Sequence, residues 1–234
     1  MNISILTLFP EMFQGPFDYS IIKRAKEKNF LTLSLINIRD FATDKRRYVD
    51  DRPYGGGAGM ILRVDIVDRA ISSVKKKKGS TTILLDPKGV RYSQAKANNL
   101  TIKEHIILVC GHYEGVDSRI EHLVDEVISV GDFVMTGGEL AAMVIVDTVT
   151  RLLPGVLTKE EASLSESFSL TSQDGCDHFL EYPQYTKPLE YKGMLVPDVL
   201  LSGNHAKIET WRKEESRKCT ARVRPDLLHT KLNS

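Results

Sequence analysis

The 234-residue chain carries 32 Lys and Arg against 31 Asp and Glu, a formal net charge of +1. With 41% hydrophobic and 27% charged residues, its bulk is neither collagen-like, disordered nor coiled-coil, and it is no histone-like polycation. The length allows one large domain, or a large one and a small one. Three widely spaced cysteines, Cys110, Cys176 and Cys219, make neither a disulfide framework nor a zinc ribbon, so a reducing cytoplasm is expected.

Residues 1–9 are apolar but lack a basic leader and a small-residue cleavage site, and they run into Pro10-Glu11. They predict a buried first strand over 3–8 rather than a targeting segment. Further strands are predicted over 31–38, 82–85, 105–109 and 126–130. Their continuous Ile, Val and Leu content suits strands covered on both faces, as in parallel sheets. Between them, Val64, Val67, Ala70, Ile71 and Val74 recur at helical spacing, and 93–100, 117–124 and 138–152 are further helix candidates. The alternation predicts an α/β domain with a mostly parallel sheet. The longest mainly apolar stretch, 140–149, is interrupted by Asp147 and falls far short of the roughly 20 residues of a membrane span, so no membrane partner is expected.

After Pro154-Gly155 the composition changes. Residues 158–182 are rich in Ser, Thr, Gln, Asp and Gly and read as a flexible linker, and a compact, helical-looking segment follows from 183 to 234. Residues 204–234 hold eight Lys and Arg against four Asp and Glu, so this end is net +4 and the rest net −3. That asymmetry suits a basic module that binds a polyanion beside a larger one that holds the chemistry, and it equally suits a solvated helix surface.

Eleven of the 16 glycines lie between residues 55 and 138. Three loops stand where strands should end: Leu85-Asp86-Pro87-Lys88-Gly89, Cys110-Gly111-His112-Tyr113-Glu114-Gly115, and Gly131-Asp132-Phe133-Val134-Met135-Thr136-Gly137-Gly138-Glu139. Ligands of open parallel sheets bind beyond the carboxyl ends of strands, and glycine lets the backbone approach them closely. No stretch fits the dinucleotide fingerprint Gly-x-Gly-x-x-Gly or the P-loop pattern. Backbone-rich loops bearing Tyr113 and Phe133 suit an adenine or adenosine without a phosphate tail; ordinary turns remain the alternative for any one loop.

Four motifs carry a further identification: Asp50-Asp51-Arg52-Pro53-Tyr54-Gly55-Gly56-Gly57-Ala58-Gly59-Met60, Gly111-His112-Tyr113-Glu114-Gly115-Val116-Asp117, the 131–140 loop, and Leu200-Leu201-Ser202-Gly203-Asn204-His205-Ala206-Lys207-Ile208. In this order they resemble bacterial tRNA (guanine-N1)-methyltransferases of the TrmD type, in the knotted SPOUT class, from residue 1 to about 228. The resemblance implies a methyltransferase domain over 1–157 with a deep trefoil knot at its C-terminal side, an interdomain linker over 158–182 and a small, mainly helical tRNA-binding domain over 183–234. It implies a homodimer with the active site at the subunit interface, acting on the guanosine 3′ of the anticodon in tRNA. The implied methyl donor is S-adenosyl-L-methionine, held by Leu85, Pro87, Gly111, Tyr113, Glu114, Val130, Gly131, Asp132, Phe133, Val134, Met135, Gly137 and Gly138. A use for Mg2+ is implied as well, although no ligand set for it stands out.

For catalysis the resemblance implies Arg151, in Thr150-Arg151-Leu152-Leu153-Pro154, and a carboxylate in the Ser165-Glu166-Ser167-Phe168 stretch, where Glu166 stands in place of the family's Asp. A second family Asp reads Glu181, ahead of Pro183-Gln184-Tyr185-Thr186-Lys187-Pro188, and part of 169–180 reads as an insertion. Asp86 stands where Ser is commoner, and His112 where Arg is commoner. Expected tRNA contacts are Arg52, Glu181, Lys207, Arg212, Lys213 and Arg217, with Arg52 alternatively bracing the glycine-rich loop against Asp50. Trp211 suits the core of the small domain better than a base-stacking platform. Two other readings stay open: a knotted methyltransferase acting on a ribose 2′-oxygen or on rRNA, and an RNA-binding relative without catalysis.

Overall fold

The structure, a computed structural model, describes residues 1–74, 79–158, 166–171 and 178–228. The chain divides into two compact units, Met1–Thr158 and Lys159–Ser234. In the first, chain order runs β1 (Asn2–Thr7), α1 (Ser20–Glu27), β2 (Thr32–Asn37), β3 (Asp50–Asp51), β4 (Ile61–Leu62), α2 (Val64–Ser73), β5 (Ser80–Arg91), α3 (Gln94–Thr101), β6 (His105–Cys110), β7 (Glu126–Ser129) and α4 (Glu139–Thr150).

Five strands form one parallel sheet in the order β2-β1-β6-β5-β7. The central strand β6 is buried along its whole length, as its unbroken Ile-Ile-Leu-Val run requires. Its side chains alternate between two cores. Ile106, Leu108 and Cys110 join Ile3, Ile5, Ile83 and Leu85 beneath Ile22 and Ala25 of α1, Leu100 of α3 and Ala142, Ile145, Val146 and Val149 of α4. Ile107 and Val109 join Leu6 and Leu84 beneath Ile66, Val67, Ala70 and Ile71 of α2. The sheet is therefore covered on both faces, and the helix predicted from Val64 to Val74 supplies one cover.

Two elements differ from their sequence pattern. Residues 117–124 form only a short 3-10 turn, Ser118–His122. Its N-cap Asp117 accepts from the Arg119 N–H at 3.0 Å and from the Arg119 guanidinium at 2.6 and 2.9 Å, which holds the Asp117 carboxyl below its usual range. Ile120 alone of this turn is buried, too small an apolar face to sustain a longer helix. Strand β5 outruns its apolar core: Ile128 pairs with both Leu85 and Val90, so the strand bulges at 86–89 and then resumes. The Lys88 N–H donates to Asp86 Oδ1 at 2.9 Å and closes this bulge as an Asx turn.

The second unit holds two short hairpins, β8 (Leu170–Thr171) with β9 (His178–Phe179) and β10 (Glu190–Tyr191) with β11 (Met194–Leu195), then α5 (Asp198–Leu201) and α6 (His205–Val223). The hairpin β8–β9 lies inside the stretch that the composition marks as linker. Cys176 lies outside the described residues. The Asn204 side chain caps α6 by accepting from the Lys207 N–H at 3.1 Å. Thr220 of α6, fully buried, accepts from the Leu180 N–H at 2.9 Å and donates to the Ser216 carbonyl at 2.7 Å, tying the incoming segment to the helix. No described helix is long and apolar enough to cross a membrane.

Because Ile107 is fully buried at the centre of the sheet, Ile107→Ala should destabilise the first unit by about 2–5 kcal/mol. The expected observation is a lowered denaturant midpoint with an unchanged slope.

Candidate functional site

Strands β6, β5 and β7 are parallel neighbours in the sheet, so the ends of β6 and β7 fall at the same edge as the 86–89 bulge of β5. This bulge and the two departing loops border a cavity of about 250 Å3. Leu85 and Pro87 line it from β5; Gly111, Tyr113 and Glu114 from the loop after β6; Val130, Gly131, Phe133, Val134, Met135, Gly137 and Gly138 from the loop after β7. Asp132 is the one cofactor residue of the sequence reading outside this lining; its carboxylate pairs with Arg91 at 3.3 Å. It stands at an odd position between Gly131 and Phe133, and an acidic side chain next to an exposed Arg finds its partner in solvent.

The lining also includes Asp86, Lys88, His112, Val116, Ser129, Thr136 and Ala141. Asp86 is the bulge acceptor described above. The Ser129 hydroxyl donates to the Gly131 carbonyl at 2.9 Å and so shapes the third loop. These side chains act through turn geometry, which leaves no periodic pattern in the sequence.

Beneath the cavity, the loop after β7 crosses the end of β6 at backbone contact distance. The Gly138 N–H donates to the Gly111 carbonyl at 2.8 Å, and a Cβ on Gly138 would lie 2.9 Å from Cys110 Cα. The next residue, Glu139, is 2% exposed at the first turn of α4, where the helix dipole favours a carboxylate. Thr7, at the end of β1, donates to Glu139 Oε1 at 2.7 Å and accepts from the Phe9 N–H at 2.9 Å. His112 Nδ1 lies 4.0 Å from Glu139 Oε2, and its ring packs between Phe9 and Tyr113, with centroids 4.8 Å away on each side. Tyr113 takes a left-handed backbone, φ 61°, and its hydroxyl accepts from Arg39 at 3.4 Å. Burial, with Glu139 nearby, pushes the Cys110 thiol well above its usual pKa.

The proposed catalytic pair is divided between the units. Arg151 closes α4, its N–H donating to the Asp147 carbonyl at 3.1 Å. Glu166 belongs to the second unit, where its carbonyl accepts from the Ser169 N–H at 3.1 Å. Arg52 stands exposed in the loop between β3 and β4, and its backbone N–H donates to Asp51 Oδ1 at 2.8 Å. Glu181 accepts from the Gln184 amide, and its N–H donates to Ser167 at 3.0 Å. On α6, Lys207 and Arg217 are exposed, Lys213 pairs with Glu209 at 3.7 Å, and the Arg212 guanidinium lies 4.9 Å from the Tyr182 ring centroid. Trp211 is half-buried, 6.4 Å from the Tyr185 ring, which accords with a packing role.

Two outcomes follow from the floor of the cavity. Thr7→Val removes one hydroxyl and leaves both a buried carboxylate oxygen and the Phe9 N–H without it, at a cost of about 1–3 kcal/mol measurable by denaturant unfolding. Cys110 should stay unmodified when the native protein is treated with a thiol reagent at mildly alkaline pH and digested for mass spectrometry, because the reactive thiolate is suppressed there.

Comparison with known proteins adds an independent line. A model of the family described as tRNA (Guanine-1)-methyltransferase TrmD matches residues 1–230. Proteins named tRNA (guanine-N(1)-)-methyltransferase are similar along nearly their whole length. That of Carboxydothermus hydrogenoformans is 53% identical over 229 residues, 97% of this chain and 87% of the relative. That of Anoxybacillus flavithermus is 53% identical over 98% of this chain and 92% of its own length. That of Geobacter sulfurreducens is 51% identical over 98% and 91%. With this match spanning both units and every loop of the cavity, the chain belongs to the TrmD family of tRNA (guanine-1)-methyltransferases.

Proposed function

We propose that this chain transfers the methyl group of S-adenosyl-L-methionine to N1 of the guanosine 3′ of the anticodon in tRNA, working as a homodimer in the cytoplasm. One observation carries the reading: in a chain of this family, three adjacent strand ends meet in a cavity edged by main chain and by two aromatic rings.

The cavity fits the methyl donor. Leu85, Pro87, Val130, Val134 and Met135 offer apolar surface to an adenine, and Tyr113 and Phe133, 42% and 56% exposed, offer ring faces. Glu114 supplies a carboxylate for a cationic ammonium or sulfonium group. When bound, the donor supplies an electrophilic methyl carbon. Leu85, Pro87, Gly111 and residues 130–138 would hold it, with Asp132 acting outside the lining through Arg91.

Guanine N1 carries a proton and becomes nucleophilic as that proton leaves. Glu166 is the proposed general base, its longer stem delivering the carboxylate that the family draws from Asp. Arg151, always protonated, is the proposed partner of the charge that develops toward O6. Lys207, Arg212, Lys213 and Arg217 on α6, with Arg52 and Glu181, are the proposed tRNA contacts; phosphate neutralisation by such cations positions the RNA while the target base leaves its stack. No group of three His, Cys, Asp or Glu side chains is clustered among the described residues, so no step is routed through Mg2+.

The tight crossing of Gly138 over Cys110 supports placing the family's trefoil knot at this C-terminal side of the first unit. Leu140 and Val144 of α4, 52% and 44% exposed, supply apolar surface that a second copy would cover. The division at Thr158 supports a catalytic domain over 1–157 and a tRNA-binding domain over 183–234.

The test is methyl transfer to tRNA bearing G or A after the anticodon, with nucleoside analysis of the product. N1-methylguanosine should form with G only. Glu166→Gln should lower the rate about 10²–10⁴-fold, the range for a lost general base, and Arg151→Ala should lower it as well. Ribose methylation, or full activity in both variants, overturns the reading.

A further inference from the structure

We infer that Gly59 is a positioning residue: the space left by its missing side chain is the seat that holds Glu114 at the edge of the cofactor cavity. The loop that carries Gly59 is anchored at both ends. At its base β3 and β4 pair antiparallel, Asp50 with Leu62 and Asp51 with Ile61. Beyond it, residues 60–62 run alongside 114–117. The Glu114 N–H donates to the Met60 carbonyl at 3.1 Å, the Leu62 N–H to the Gly115 carbonyl at 3.1 Å, and the Asp117 N–H to the Leu62 carbonyl at 3.0 Å. Leu62 and Val116 form a parallel bridge within this ladder.

The ladder sets Gly59 directly against the Glu114 side chain. A Cβ built on Gly59 would coincide with the space of Glu114 Cγ and would lie 2.7 Å from its Oε1 and 2.9 Å from its carboxyl carbon. Its neighbours serve no such purpose. Gly55 and Gly56 have the same left-handed backbone, φ +85° and +81° against +78° at Gly59, yet a Cβ on either would meet nothing within 4 Å. Gly57 meets only Pro53 Cγ, at 3.7 Å. Within the run Gly55-Gly56-Gly57-Ala58-Gly59, backbone curvature accounts for the first two glycines, whereas the last also makes room for a charged side chain.

The obstructed group is a flexible side chain whose backbone is fixed by the ladder. A methyl at 59 therefore displaces the Glu114 carboxylate and leaves the loop in place. Glu114 lines the cavity, so the consequence falls on whatever cation the cavity receives. This step rests on the proposed binding of S-adenosyl-L-methionine, whose ammonium and sulfonium groups are the cations at issue.

The experiment compares wild type, Gly56→Ala, Gly59→Ala, Glu114→Ala and the Gly59→Ala/Glu114→Ala double variant as full-length proteins. Calorimetric titration with S-adenosyl-L-methionine is joined to thermal unfolding and to ligand-free crystal structures. Gly56→Ala controls for left-handed strain and should bind like wild type. Gly59→Ala should unfold at the same temperature as Gly56→Ala but bind about tenfold more weakly, the weight of one misplaced charge-assisted contact. In the Glu114→Ala background, Gly59→Ala should cost nothing further. Wild-type binding by Gly59→Ala, an equal loss in Gly56→Ala, or additive losses in the double variant would overturn the seat. A wild type that does not bind the donor would overturn the functional reading instead. The seat is then decided by the crystal structures alone: it stands if the Glu114 carboxylate moves in Gly59→Ala and not in Gly56→Ala, and falls if it moves in neither.

Discussion

The close passage of the chain over the end of β6 governs the rest of the site. Gly138 donates to the Gly111 carbonyl at 2.8 Å, an approach open to it because a Cβ there would lie 2.9 Å from Cys110 Cα and 3.2 Å from the Gly111 nitrogen. That contact brings Glu139 under the cavity, starts α4 at a fixed point and holds the loop after β7 over the loop after β6. The buried carboxylate is tolerated because Thr7 donates to it and the first turn of the helix faces it. A close-packed floor made this way lets glycines such as Gly111, Gly137 and Gly138 stand in the cavity wall, where the main chain itself faces the cavity.

The parallel sheet was legible because β6 is buried along its whole length and β5 through Leu85, so both read as short runs dominated by Ile, Leu and Val. The cavity was legible because its glycines stand at the ends of those runs, and twelve lining residues followed from the family's motifs. Asp132 shares the motif of the lining residues, and its own side chain turns to Arg91 rather than to the cavity. The turn at 118–122 was overread because Ile120 and Leu123 mimic helical spacing, while only Ile120 is buried. The roles of Asp86, Ser129 and Glu139 were not legible for a different reason. Their work is one hydrogen bond each to a turn, a loop or a distant strand, and nothing in local spacing records such a partner.

The second unit achieves cohesion with little apolar mass. Among the described residues of α6, Ser216 and Thr220 are the ones buried, and both are hydroxyl residues joined to the backbone of Leu180. Hydrogen bonds therefore supply the register that apolar side chains supply in the first unit. Most of the helix surface is exposed, and the Asn204 cap with the Lys213–Glu209 and Lys218–Glu215 pairs one turn apart supports a basic, weakly amphipathic 19-residue helix.

The bond between Thr7 and Glu139 spans 132 positions. During synthesis the N-terminal strand emerges early, and its hydroxyl waits for a carboxylate made much later. The floor of the cavity closes only when most of the first unit has left the ribosome, and pairings across such separations form slowly. Ligand competence is thus a late event in the life of the nascent chain, so a prematurely terminated fragment would carry strands of the sheet without the means to engage a methyl donor.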